Sequence, residues 1–132
     1  MEKRVLVADV PHAERRLAAV LAGHRLLFVH TVAVALKALA QHDFDLVLIG
    51  MHFDDSRMFD LLAEMRAGSR NRDVPVLCYR LRPLAFALPG TEALKAAVEA
   101  LGARAFVDLS LQAEDAGNRA LGDLVVSLTG PG

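Results

Sequence analysis

Residues His42 to Arg66 read HDFDLVLIGMHFDDSRMFDLLAEMR, and the architecture of the chain can be worked outward from them. Within this stretch Asp45 to Gly50, DLVLIG, is apolar without the alternation of a half-exposed strand, as expected of a strand covered on both faces. A polar loop, Met51 to Arg57, follows. Met58, Leu61, Leu62 and Met65 then recur at helical spacing until GSRNRD breaks the pattern. The same strand-then-helix alternation extends in both directions. Upstream lie a strand VLVAD (Val5 to Asp9), a helix from about His12 to Ala22 closed by Gly23, a strand RLLFV (Arg25 to Val29), and a helix capped by Thr31 with Val32, Ala35, Leu36 and Leu39 on one face. Downstream lie VPVLCY (Val74 to Tyr79), a helix from about Thr91 to Leu101, RAFVD (Arg104 to Asp108), and a last helix from about Glu114 to Leu128. Five such units joined by right-handed crossovers predict an α/β fold, a doubly wound five-stranded parallel sheet of order 2-1-3-4-5 between two helical layers.

Composition bounds the function. The 132 residues suit one domain, expected over 1–128 with a frayed tail at 129–132. At 54% hydrophobic and 23% charged, the chain is too apolar for disorder and can fill a core. A formal net charge of −1 supplies no global field to attract nucleic acid or an acidic membrane, so neither is expected as a partner. The single cysteine, Cys78, lies in an apolar strand and can form neither an internal disulfide nor a thiol-rich metal cluster. With no signal-like or membrane-length apolar run, the expected location is the cytoplasm.

In a doubly wound sheet, ligands bind beyond the carboxyl ends of the strands, near the switch point between strands one and three. The residues there are Asp9, Val10, Gly50, Met51, His52, Arg80 and Leu109. The fragments VLVADVPHAERRLAAVL, HDFDLVLIGMHFDDSRMFDLLAEMR, VPVLCY and ALGARAFVDLS, in this order and spacing, resemble the receiver domain of two-component response regulators over residues 3–128. The resemblance implies a flavodoxin-like three-layer sandwich and a role in phosphorelay signal transduction. It also implies a site: an acidic pair after strand one for Mg²⁺, a phosphoacceptor aspartate ending strand three, Thr or Ser ending strand four, and Lys-Pro after strand five.

This sequence departs from that pattern at most places. Asp9 keeps the first acidic position but Val10 takes the second, Gly50 stands at the phosphoacceptor position, Arg80 falls near the Thr or Ser position, and Leu109-Ser110 replaces Lys-Pro. A glycine has no side chain to phosphorylate, and one carboxylate gives too few hard ligands for Mg²⁺. The expectation is a degenerate pseudo-receiver with no catalytic residue, no metal and no cofactor. A lone buried acid is costly unless paired, so Asp9 is expected either to form an ion pair with Arg80 or Arg82 or to bond to backbone, Arg80 then facing solvent. Asp54 and Asp55 read as solvated loop or cap acids, with a return of Asp54 toward the pocket as the sharper option. His12, His24, His30, His42 and His52 are too scattered for a zinc site, His52 lying nearest the switch point.

After strand four, RLRPLAFALPGTE adds an apolar loop in which Leu81, Leu84, Phe86 and Leu88 are candidates for a partner contact or for a lid over the pocket. The expected function is a stand-alone, non-enzymatic module acting by protein–protein interaction with a kinase, a regulator or a second copy of itself as a homodimer. The alternative is a sensor in which the vacated pocket holds a small molecule or an anion.

Overall fold

A computed structural model describes residues 2–68, 70–82 and 91–130. The strands are β1 (Arg4–Ala8), β2 (Arg25–Val29), β3 (Leu46–Gly50), β4 (Val76–Arg80) and β5 (Ala105–Asp108). They form one parallel sheet in the order β2-β1-β3-β4-β5, as the five βα units require. The helices are α1 (Glu14–Val20), α2 (Val32–Gln41), α3 (Met58–Ala67), α4 (Thr91–Ala100) and α5 (Glu114–Thr129). The candidate contact residues Leu84, Phe86 and Leu88 lie outside the described residues. No helix among the described residues is long and apolar enough to cross a membrane.

Strand parity divides the core into two layers. Leu6 and Ala8, Val47 and Ile49, and Val76 and Cys78 face α2, α3 and α4, where they meet Ala35, Leu39, Leu61, Met65 and Val98. Val5 and Val7, Leu46 and Leu48, and Leu77 and Tyr79 face α1 and α5, where they meet Leu17, Leu21, Leu121 and Val125. All five residues of β3 are buried, so the unbroken apolar run belongs to a strand covered on both sides.

Three departures from the sequence expectation have local causes. The first helix begins with a 3₁₀ turn, Pro11–Ala13, because Pro11 fits an N-terminal turn but has no N–H to donate. The loop after β3 contains a left-handed turn, with φ of 46°, 56° and 68° at Asp54, Asp55 and Ser56. Such a conformation costs roughly 1–2 kcal/mol per non-glycine residue. It is held because Asp54 Oδ2 accepts the N–H of Val32 at 2.9 Å, capping α2 beside Thr31, whose Oγ1 accepts from Val34 N–H at 3.2 Å. Finally, α5 continues through Thr129, whose hydroxyl donates to Val125 C=O at 2.8 Å.

Two side chains tie the far end of the sheet. Asn71, at φ 61°, accepts from Phe44 N–H at 2.9 Å and donates to Leu39 C=O and His42 C=O at 2.8 and 2.6 Å. Arg66 donates to the carbonyls of Arg72, Val74 and Gly102, so α3 and the entries to β4 and β5 share one guanidinium.

Candidate functional site

Asp9 follows β1 with the parity of Val5 and Val7, so its carboxylate turns toward the α1 and α5 layer and is 6% exposed. Its Oδ1 accepts the N–H of Val10 at 2.7 Å, and its Oδ2 accepts the hydroxyl of Tyr79 at 2.8 Å. Tyr79 lies on β4, directly opposite Gly50 on β3, and β3 separates it from β1. The phenol and the carboxylate must therefore meet over β3, each bridging about one strand spacing of 4.8 Å from its own strand. Gly50 makes this meeting possible. A Cβ at this position would lie 2.6 Å from Asp9 Oδ1 and closer still to Cγ and Oδ2.

The space above the end of β3 is therefore filled by the carboxylate of Asp9. Burial pushes the Asp9 carboxyl above its ordinary value, against the opposing effects of the Val10 N–H, the Tyr79 hydroxyl and the charges of His52 and His12. Burial also raises the Tyr79 phenol, and the neighbouring Asp9 adds to this as a charge and as the acceptor of its proton. Tyr79 accordingly stays protonated and donates.

No ion pair joins Asp9 to Arg80 or Arg82 among the described residues, which corrects the expected pairing. Parity is the reason: Tyr79 and Arg80 are consecutive on β4 and face opposite sides of the sheet. Arg80 is paired in register with Asp108 of β5, and its guanidinium forms a salt bridge with that carboxylate, the two side chains being 13% and 7% exposed. It does not face solvent. Ser110 adds a backbone donor at 3.0 Å and a hydroxyl donor at 2.5 Å to Asp108 Oδ1. Burial alone would raise the Asp108 carboxyl, but the bonds from Arg80 and Ser110 outweigh it and hold the group well below the usual carboxylate range.

The remaining predicted residues divide. Val10 is half-buried and supplies the N–H that holds Asp9. Leu109 is 1% exposed and packs in the same layer as Tyr79. Leu81 packs partly against that layer instead of standing free. Asp54 does not return to Gly50; it caps α2. His52 is partly exposed, with Nε2 3.3 Å from Arg82 C=O. Beyond Asp9 a cleft of about 180 Å³ opens, lined in part by Met51, His52, Leu81, Arg82 and Arg16. Sequence reasoning missed Tyr79 and Arg16. Tyr79 was detectable as a hydroxyl at the end of an otherwise apolar strand, with the parity of Gly50 and Asp9.

The residues present do not fit the magnesium ion that the receiver resemblance implies. Mg²⁺ demands near-octahedral hard oxygen ligands. Here both oxygens of the one strand-end acid facing the cleft are engaged, and Val10 and Gly50 offer no side-chain oxygen. Among the described residues no group of three His, Cys, Asp or Glu could hold a metal ion.

No family model matches the chain. In sequence it is 34% identical over 111 residues to the sensory/regulatory protein RpfC of Xanthomonas campestris pv. campestris, in two strains. That alignment covers 79% of this chain and 14% of the relative, so the chain spans about one-seventh of the length of the protein it matches. In structure it is similar to the phosphorylated cyanobacterial phytochrome response regulator RcpA, with a TM-score of 0.78 at 16% identity over 100% of this chain and 97% of the other. It is also similar to the magnesium-bound receiver domain of the sensor histidine kinase PA1611 from Pseudomonas aeruginosa PAO1, with a TM-score of 0.70 at 18% identity over 98% of each chain. A response regulator protein from Burkholderia multivorans gives 0.66 at 24% identity over 100% of this chain and 98% of that one. The chain therefore has the receiver-domain fold of response regulators and is related in sequence to one segment of RpfC.

Proposed function

We propose that this chain is a pseudo-receiver of two-component signalling, a module that acts by protein–protein contact without phosphorylation at its strand ends. The observation that carries the reading is the Asp9 carboxylate lying over Gly50 and bound by Tyr79. Phosphoryl transfer to a receiver needs a carboxylate at the end of β3 and a metal to neutralise the transferring group. Here the first is replaced by a backbone position, and the acid that would help to hold the second is turned inward. Among the described residues neither a nucleophile nor a base with an orienting partner is assembled beside the cleft, which favours a binding module over an enzyme.

The partner is a kinase, a regulator or a second copy of the chain, met in a cytoplasmic setting. With a net charge of −1 the chain has no electrostatic pull on nucleic acid or acidic lipid. Leu84 and Phe86, apolar residues in the sequence between β4 and α4, are the first positions to substitute.

The test has two arms. Purified protein incubated with acetyl phosphate and Mg²⁺ is weighed intact; the expected result is no gain of a phosphoryl group. Affinity purification from the native cell then compares the untreated protein with the Leu84→Ser/Phe86→Ser variant. Capture of a specific partner by untreated protein, lost in the variant, supports the reading. A phosphoryl adduct, or partner capture only after acetyl phosphate treatment, overturns it.

A further inference from the structure

The strand β2 is one margin of the sheet, paired to β1 on one side only. Its residues divide by parity. Arg25 N–H donates to Lys3 C=O at 2.8 Å, and Val29 C=O accepts from Asp9 N–H at 3.2 Å, so Arg25, Leu27 and Val29 turn their backbone groups toward β1. The N–H and C=O of Leu26 and Phe28 point the other way, and no loop or side chain among the described residues hydrogen-bonds to them. Proteins ordinarily guard such a margin with lysines, a proline, a bulge or a covering segment. Here the strand is RLLFV, and its one charged residue, Arg25, is paired to Glu2 at 3.1 Å. The flanks are apolar or small as well. Leu27 and Val34 are 40% and 51% exposed. Leu27 has the parity of Leu6 and faces the α2 layer. Val34 lies about 200° round α2 from Leu36, which shares a crevice with Glu64 and Met65 of α3, so Val34 overlooks β2. In the other layer the exposed Ala18 lies one turn beyond Glu14, whose carboxylate is 3.7 Å from His30 Nε2 just past the end of β2.

We propose that two copies of this chain pair antiparallel through β2, about a two-fold axis at Leu27, and so join their sheets into one. The backbone pattern is self-complementary. With Leu27 opposite Leu27, Leu26 of each copy falls opposite Phe28 of the other, and each such pair exchanges two N–H···O=C bonds. Positive donor ends thus meet negative acceptor ends, and like charges stay apart, since Arg25 of one copy falls opposite Val29 of the other. On the α2 face the exposed Leu27 and Val34 of both copies gather near the axis. On the α1 face Leu26 packs against Phe28, and the short side chain of Ala18 leaves room for the approach. The opposite margin, β5, is one residue shorter and carries Asp108, so it offers no matching apolar row. An unrelated extended segment could use the same backbone groups, but a second copy also brings its own Leu27 and Val34 to cover those of the first. This assembly goes beyond the proposed function and stands apart from phosphorylation, which the intact-mass measurement tests separately.

The test measures the mass of the full chain by sedimentation between about 1 and 500 μM, with amide hydrogen exchange at both ends of that range. The expected result is a concentration-dependent dimer in which the amides of Leu26 and Phe28 exchange at least about tenfold more slowly than at the dilute end. Leu27→Lys removes two leucines from the axis and sets two ammonium groups face to face, so it is expected to weaken association about a hundredfold or more. The Leu84→Ser/Phe86→Ser variant is expected to dimerise as the wild type does. Exchange in the wild type keeps the test decisive if Leu27→Lys does not fold. A monomer throughout the range, a dimer whose Leu26 and Phe28 amides stay fast, or a dimer that persists unchanged in folded Leu27→Lys would each overturn the proposal. So would protection of those amides that appears only in cell extract, which would give the margin to a different protein.

Discussion

Gly50→Ala tests whether the inward turn of Asp9 depends on a missing side chain. In an ordinary strand this substitution stabilises by roughly 0.5–1 kcal/mol, because glycine gives up the most backbone freedom on folding. Gly50 is not among the glycines with positive φ, so alanine is sterically allowed by the backbone. The surroundings reverse the sign. The new Cβ would lie 2.6 Å from Asp9 Oδ1, whereas ordinary van der Waals contact begins near 3.4 Å. The carboxylate would have to retreat by most of an ångström while held by Val10 N–H at 2.7 Å and Tyr79 O–H at 2.8 Å. Overpacking of this kind costs about 1–3 kcal/mol, and loss of one hydrogen bond to a carboxylate adds about 1.5–3 kcal/mol where the group stays buried. Taken against the backbone gain, Gly50→Ala is expected to destabilise by about 1.5–5.5 kcal/mol. Urea unfolding of the wild type, Gly50→Ala, Asp9→Ala and the double variant completes the cycle. In the Asp9→Ala background the clash is gone, and Gly50→Ala should become neutral or stabilising. A neutral Gly50→Ala in the wild-type background, or the same cost in both backgrounds, would refute the reasoning.

Three further substitutions probe the same region. Tyr79→Phe leaves a buried carboxylate oxygen without its donor and is expected to cost about 1–3 kcal/mol at neutral pH. Because the folded-state pKa of Asp9 is already raised and would rise further, native Asp9 gains stability from protonation as pH falls toward 3.8, so the cost measured by urea midpoints should shrink between about pH 7 and pH 4.5. Asp108→Asn breaks a largely buried pair with Arg80 and is expected to cost roughly 3 kcal/mol near neutrality. With the Asp108 pKa lowered on folding, the wild-type pair gives its stability above the unfolded value of about 3.9 and loses it below, so thermal melts of the variant should show a smaller loss in that acid range. Asp54→Ala removes the acceptor for Val32 N–H at the start of α2 and is expected to cost about 1–2 kcal/mol by urea unfolding, since the strained turn loses its anchor with the cap.

Much of this fold was legible because its signals are periodic and repeated. Arg25 to Val29 was placed to the residue, and the order of all five strands followed from unbroken apolar runs such as Leu46 to Ile49 joined by helical segments. The left-handed turn at Asp54 to Ser56 was not legible, because these residue types suit many loop conformations and the stabilising contact comes from Val32, 22 positions away. The Asp9–Arg80 expectation failed for a different reason. It weighed charge and strand-end proximity but not parity, which puts Arg80 on the face of Phe106 and Asp108 and puts Tyr79 on the face of Asp9.

Parity also joins Asp9, Gly50 and Tyr79 into one unit. Gly50 leaves the space over β3 in which the Asp9 carboxylate and the Tyr79 phenol meet, and the phenol gives the buried Asp9 its second hydrogen bond. A carboxylate restored at position 50 alone would therefore meet a second carboxylate in the same low-dielectric space, with two like charges and no cation between them. Such a pair favours protonation of one partner over metal binding or attack on a phosphoryl donor. On the proposed reading, a carboxylate at position 50 would need Asp9 to swing outward, Tyr79 to lose its hydroxyl or its place, and a second acid at Val10, all together. One substitution would therefore not suffice to make the site phosphorylatable.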